Sequence, residues 1–256
     1  MKSKLIMMLR PMKRSDPTEH TFSWAQKAVD FARSLDYNII DIQKDDVNYD
    51  NVTSMIAKYK PRLLMSFSHG CPTSLQGQND CSITRRFDID QLLSMDPDAL
   101  DKLINPVKSS CPGICKVENE ICNPLCLRET NIGLLKGSII FACACHTAAQ
   151  PTNENPNVKS LGNCAIKYGV EAYCGYSDLL MFPVDSLGSQ DMFGEVQLTF
   201  VKELLLGHTV AEAEAEMSKL EDQFIRKNKN IKYLSLPMLW DKLHRKVLGN
   251  PDAMIY

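Results

Sequence analysis

Residues 62–70 read RLLMSFSHG, and residues 138–148 read SIIFACACHTA. Each is a short apolar run that delivers a reactive side chain at its end. The first arrives at His69-Gly70, the second at Cys145, followed by small and polar residues. Runs this short and this rich in bulky apolar residues suit buried strands of an α/β sheet better than surface helices. In open α/β sheets, functional groups sit just past the carboxyl ends of strands. A histidine and a cysteine delivered there are a candidate base and nucleophile.

Outward from the first stretch, the preceding residues alternate strand and helix. Lys4 to Leu9 is apolar and stops at Arg10-Pro11. Trp24, Ala28, Phe31, Ala32 and Leu35 recur at helical spacing behind the start signal Asp16-Pro17. Asn38 to Ile42 reads as a second strand. Val52, Met55, Ile56 and Tyr59 mark a second helix, stopped by Pro61. This β-α-β-α-β order with short links predicts a parallel sheet covered by helices.

Beyond the second stretch, PTNENPNVKSLGN at 151–163 reads as a polar loop, and Val170 to Gly175 as another buried strand. Val196, Phe200 and Leu204 form one helical face that ends at Gly207. Thr209 with Glu212 fits a capping box for a helix reaching about Lys227. The tail around Lys246 to Leu248, before Gly249-Asn250-Pro251, reads as a late strand. Glu212, Glu214 and Glu216 read as a solvated helix face.

At 256 residues the chain is long enough for one large α/β domain with an ample core. Its 29 Lys+Arg against 31 Asp+Glu give a formal charge of −2, with no basic excess to attract nucleic acid. No secretory h-region or transmembrane run is expected: MKSKLIMMLRPMKR at the start is a first strand, and a reducing cytoplasm is the expected compartment. Ten cysteines are many for that setting, and thiol chemistry or metal binding explains them better than disulfides.

Residues 71–131 break the strand–helix rhythm with five prolines and six cysteines, and only Phe87 to Leu103 hints at helix. They read as an irregular insertion above the sheet. Within it Cys111, Cys115, Cys122 and Cys126 form C-x3-C-x6-C-x3-C. Four thiolates can hold a structural zinc tetrahedrally and order a loop that lacks its own core. Disulfides or free thiols fit the same spacing, and an iron–sulfur cluster is a less favoured alternative.

A thiol with an ordinary pKa of roughly 8.5 is mostly protonated at neutral pH, so a nucleophilic role for Cys145 needs a nearby imidazole. The same imidazole can protonate a departing amine. Gly70 lets backbone approach a substrate closely, and its N–H can stabilise an oxyanion.

In SFSHG and IIFACACHTA the chain resembles the caspase–gingipain–clostripain class of cysteine peptidases, whose strands end in His-Gly and in Ala-Cys. TSLQGQND, YGVEAYCGYSD, LLLGHTVAEAEAEM and KVLGNPDA look most like the gingipain-type branch, in the matching order. The resemblance covers most of the chain except about 82–131. It implies one domain over 1–256 on a caspase-hemoglobinase-like, mostly parallel α/β sheet flanked by helices, with the Cys-rich segment inserted. It also implies a peptide or protein substrate and no cofactor for catalysis. His69 would be the general acid/base and Cys145 the nucleophile, with the Gly70 and Cys145 N–H groups facing the oxyanion.

Cys143 is the rival nucleophile, since it too follows an alanine, but it lies two residues deeper in the strand. Basic-specific relatives carry an acidic residue at the position of Cys143. Asp178, after the 170–175 strand, is the candidate replacement pocket anion. His146 is the alternative base, but adjacent strand side chains point to opposite faces, so it is expected to wall the pocket or stand behind it. His20, His208 and His244 are expected to be ordinary surface residues. Two other readings remain open: a Cys-rich metal-binding or redox module, and an inactive interaction protein on the same fold.

Overall fold

The computed structural model describes residues 5–12, 14, 16–71, 74–77, 125–128, 131–150, 160–183 and 189–255. The expected α/β architecture is present. Six strands form the main sheet: β1 (Leu5–Arg10), β2 (Asn38–Gln43), β3 (Leu63–Phe67), β7 (Ile139–Cys143), β8 (Ala172–Tyr176) and β9 (Arg245–Gly249). Their spatial order is β2-β1-β3-β7-β8-β9, parallel except for β9, which runs antiparallel to β8. A small antiparallel sheet joins β4 (Gly70–Cys71), β5 (Ser74–Gln76) and β6 (Leu125–Arg128).

Both faces of the central strands β1, β3, β7 and β8 are covered, which is why these are largely apolar, whereas the edge strands β2 and β9 are partly exposed. Along β1, Ile6 and Met8 enter one core cluster, while Met7 and Leu9 enter the other. Along β7, Ile139, Phe141 and Cys143 face the first cluster; Ile140 and Ala142 face the second. This two-residue alternation is the pleat expressed as packing.

Helix α1 (Pro17–Ser34) brings Trp24, Ala25, Ala28, Val29 and Ala32 to the first face. There it meets Phe193, Val196 and Phe200 of α4 (Ser189–Leu206). Helices α5 (Val210–Lys227) and α6 (Lys232–His244) complete that layer. On the opposite face lie α2 (Tyr49–Tyr59), contributing Val52 and Ile56, and α3 (Leu161–Lys167), contributing Leu161, Cys164 and Ala165.

Local chemistry sets the helix starts. Asp16 caps α1 by accepting the Thr18 N–H, with Pro17 in the first turn. Asn48 caps α2 through the Asn51 N–H. The expected Thr209–Glu212 capping box on α5 is present in both directions. Two helices depart from the sequence reading. The end of the supposed polar loop forms α3, started by the Ser160 hydroxyl. Residues 232–244 form α6 despite Pro237 inside it, because Leu234 and Met238 bury against the first cluster.

Of the glutamates read as a solvated face, Glu212 and Glu216 are exposed on α5 as expected, whereas Glu214 turns to Arg245. Glu212 belongs to the capping box, while Glu214 and Glu221 meet Arg245 at the start of β9. Arg245 and Glu221 are both almost fully buried, and Arg245 also donates to Ser218 Oγ at 2.7 Å. Burial pushes the Glu221 carboxyl up even though Arg245 pulls it down.

The insertion from about 82 to 131 lies almost wholly outside the described residues. That covers the helix hint at 87–103 and Cys111, Cys115 and Cys122; Cys126 falls on β6, placed by its backbone alone. Among the described residues no helix is long and apolar enough to cross a membrane.

Breaking the buried ion pair tests how α5 and β9 are joined. Arg245→Met strands the Glu221 charge and is expected to cost about 3–5 kcal/mol in urea denaturation. Adding Glu221→Gln should recover part of that loss. A single variant within about 0.5 kcal/mol of wild type would show that the pair contributes nothing.

Candidate active site

Strands β3 and β7 lie side by side in parallel, with Leu63 opposite Ile139 and Phe67 opposite Cys143. His69 follows Phe67 by two residues, and Cys145 follows Cys143 by two, so the pairing delivers both to the same level. The ladder continues past the strand ends, where the Ser68 N–H reaches the Cys143 carbonyl at 3.4 Å. The two exit segments then touch. A Cβ on Gly70 would lie 2.6 Å from the Cys145 carbonyl oxygen, 2.7 Å from Thr147 Cγ2 and 2.8 Å from Ala144 Cβ. Only glycine fits there, because any side chain would collide with the turn that carries Cys145.

His69 is held from two sides. Its carbonyl accepts the Gln76 N–H at 3.0 Å. That bond makes Gly70–Leu75 a non-hydrogen-bonded antiparallel pair, so the Gly70 N–H is directed away from β5. The imidazole Nε2 lies 2.7 Å from Asp16 Oδ1. The same oxygen accepts the Thr18 N–H at 2.9 Å and the Thr18 hydroxyl at 2.8 Å. Burial alone would raise the Asp16 carboxyl, but these donors and His69 outweigh it and hold it below the usual carboxylate range. An ionised Asp16 makes Nε2 the protonated nitrogen of a neutral ring and leaves Nδ1 as the basic one.

Sequence reasoning found Asp16 only as a helix start. Its second role has no local signal, because the partner lies 53 positions away.

Cys145 sits in the turn after β7 and is partly exposed, whereas Cys143 is 1% exposed. Cys143 thus faces the core, as its depth in the strand implied. Burial pushes the Cys143 thiol well up, with the charge of Asp241 adding to it. Cys174, behind it on β8, is pushed up to about 12, chiefly by burial. The Cys145 sulfur accepts the Leu180 N–H at 3.3 Å. Burial raises its thiol too, the Leu180 N–H opposes that, and the charges of Asp241 and Asp178 push it further up.

His146 corrects the strand-parity argument. The strand has already ended at Cys143, and His146 takes a left-handed backbone with φ of 58°. Its N–H donates to the Asp178 carbonyl at 3.0 Å, and its Nδ1 lies 3.9 Å from Asp178 Oδ1. Asp178 accepts the Leu179 N–H at 2.7 Å, and its other oxygen is 4.0 Å from His244 Nε2. His244 is therefore at the site, stacked on Trp240 with ring centroids 4.1 Å apart; it is not the ordinary surface residue the sequence suggested. Asp178, placed between two imidazoles, is less a bare pocket anion than a bridge between turn and helix. Of the other two histidines, His20 edges onto Phe182 of the 177–183 segment, and His208 pairs with Glu203 away from the site.

Residues 177–183 run beside Cys145, whose sulfur accepts the Leu180 N–H, and are fastened to α6. The Ser177 N–H meets the His244 carbonyl at 2.7 Å, and Trp240 Nε1–H meets the Leu179 carbonyl at 3.1 Å. The Met181 N–H meets Asp241 Oδ1 at 2.8 Å. Asp241 is 1% exposed, and burial pushes its carboxyl well up.

No family model matches this chain, and no curated protein matches it either.

Site-resolved alkylation by iodoacetamide across pH checks the electrostatics. The Cys145 midpoint is expected above that of an ordinary thiol, and Asp178→Asn should move it downward by removing a nearby negative charge. Native Cys143 and Cys174 should stay protected. An upward shift in Asp178→Asn would contradict the assignment of that field.

Proposed function

We propose that the chain is a cysteine peptidase in which Cys145 attacks a peptide carbonyl and His69 moves the proton. The observation that carries this reading is the in-register pairing of β3 with β7, which sets His69-Gly70 against the turn of Cys145. The Asp16–His69 contact supports it, because a carboxylate behind an imidazole fixes the tautomer that a base needs. The resemblance to the gingipain-type peptidases points the same way.

In this mechanism the resting thiol is protonated, since burial and two nearby carboxylates disfavour its anion. The nucleophile is made on demand: as sulfur bonds to the carbonyl carbon, the thiol proton passes to His69 Nδ1. The carbonyl oxygen becomes an oxyanion facing the Gly70 and Cys145 N–H groups. Collapse breaks the C–N bond, and the imidazolium gives its proton to the departing amine. Water, deprotonated by the same imidazole, then cleaves the thioester and restores the thiol. Asp16 stays ionised throughout and steadies the transient imidazolium. A reducing cytoplasm suits a free catalytic thiol.

Peptide-library hydrolysis is the test. Cys145→Ala should abolish cleavage, and His69→Ala should lower kcat by about 10²- to 10⁴-fold. Asp16→Ala should cost less than His69→Ala, whereas Cys143→Ala should still cleave. Loss on Cys143→Ala with retention on Cys145→Ala would assign the nucleophile to the wrong thiol. Cleavage indifferent to both cysteines and to His69 would end the proposal.

A further inference from the structure

Helix α6 is apolar on both sides. Leu234 and Met238 point into the core, yet the outer face is also apolar: Tyr233, Leu236, Trp240 and Leu243 recur every three or four residues, with Leu239 beside them. Leu236 is 56% exposed and Leu243 61%. A surface helix normally turns charged residues outward, and one that is apolar all round needs a second covering. Beside the stripe Lys242 is paired with Asp222 at 2.6 Å, and the Lys246 ammonium donates to the Leu243 carbonyl at 3.1 Å, so the charges lie at its margin.

The stripe continues onto the wall of the candidate site. Trp240 is hydrogen-bonded to the Leu179 carbonyl, and Leu179 is itself 50% exposed. The next residue, Leu180, donates to the Cys145 sulfur. The patch therefore begins one residue from the reactive atom and runs away along α6. A peptide laid with a carbonyl over Cys145 and continuing in that direction crosses the stripe.

We propose that the outer face of α6, with Leu179, is an extended substrate subsite that binds the bulky apolar side chains of a peptide on one side of the bond to be cut. The inference rests on the peptidase reading for the placement of that bond. The occupant is a Leu-, Ile- or Phe-rich stretch of polypeptide, since each such side chain loses water against the stripe. A second copy of the chain or a lipid surface would also cover an apolar helix, but the direct continuity with the sulfur favours the substrate.

The test titrates full-length Cys145→Ala protein, which cannot turn over, with capped peptides carrying Leu, Phe and Ile at successive positions. Matched peptides carry Ser there. Trp240 reports binding by its emission, because Trp24 is fully buried. The apolar peptides are expected to bind at least about tenfold more tightly. A doubly substituted Leu236→Ser/Leu243→Ser protein should lose most of that preference. Both leucines are mostly exposed, so the fold should survive, and circular dichroism checks it.

Equal affinity for the two peptide sets, or no binding, overturns the proposal. So does a dimer of the single variant that the serine substitutions convert to monomer without altering peptide preference. Binding to phosphatidylcholine vesicles that is lost in the serine protein, with peptides ignored, overturns it as well. Peptides that bind with the expected preference but are never cleaved by wild type would end the peptidase reading and leave the subsite standing. Cleavage without any apolar preference would do the reverse.

Discussion

The parallel pairing of β3 with β7 is the constraint on which the site depends. Five residue pairs fix the register from Leu63–Ile139 to Phe67–Cys143, and both strands are buried on both faces. A slip of one residue by either strand would turn its phenylalanine, Phe67 on β3 or Phe141 on β7, out of the core that contains Phe200. The core energy that locks the register thus also fixes how far each strand tip projects. His69 and Cys145 owe their common level to hydrophobic packing deeper in the sheet, not to any attraction between themselves.

The same logic extends sideways. Helix α1 covers β1 and β3 with Trp24, Ala28 and Ala32, and its amino-terminal cap stands where His69 emerges. Asp16 satisfies two donors from Thr18 and still reaches the imidazole, so one carboxylate both starts a helix and holds the His69 ring. On the other side, residues 177–183 leave β8 and are tied to α6 at Leu179, Met181 and Ser177. The imidazole is therefore held from α1, and the segment that meets the sulfur is held from α6. The surroundings of the Cys145 sulfur disfavour a standing thiolate.

Much of this was legible in the chain. RLLMSFSHG and SIIFACACHTA read as strands because burial on both faces leaves an apolar signature that needs no partner to interpret. Thr209-x-x-Glu212 is equally local. What stayed hidden was non-local or contradictory. Asp16 already has a complete explanation as a cap, so nothing in the sequence marks its contact with His69. Pro237 and the all-round apolarity of KYLSLPMLWDKLH disguise α6, and with it the places of Trp240, His244 and Asp241. Arg245 and Glu221 look like surface residues until the fold buries them together. The turn after β7 also escaped the pattern, because strand alternation stops two residues before Cys145 and His146 takes a left-handed conformation.

The account stands or falls on whether sulfur and imidazole act as one unit. Rapid acid quench of the protein mixed with an activated peptide ester, followed by site-resolved mass spectrometry, asks this directly. The account predicts a thioester on Cys145 that builds within one turnover and that fails to accumulate when His69 is alanine. An acyl group on any other residue, or acylation of Cys145 at the same rate without His69, would contradict it.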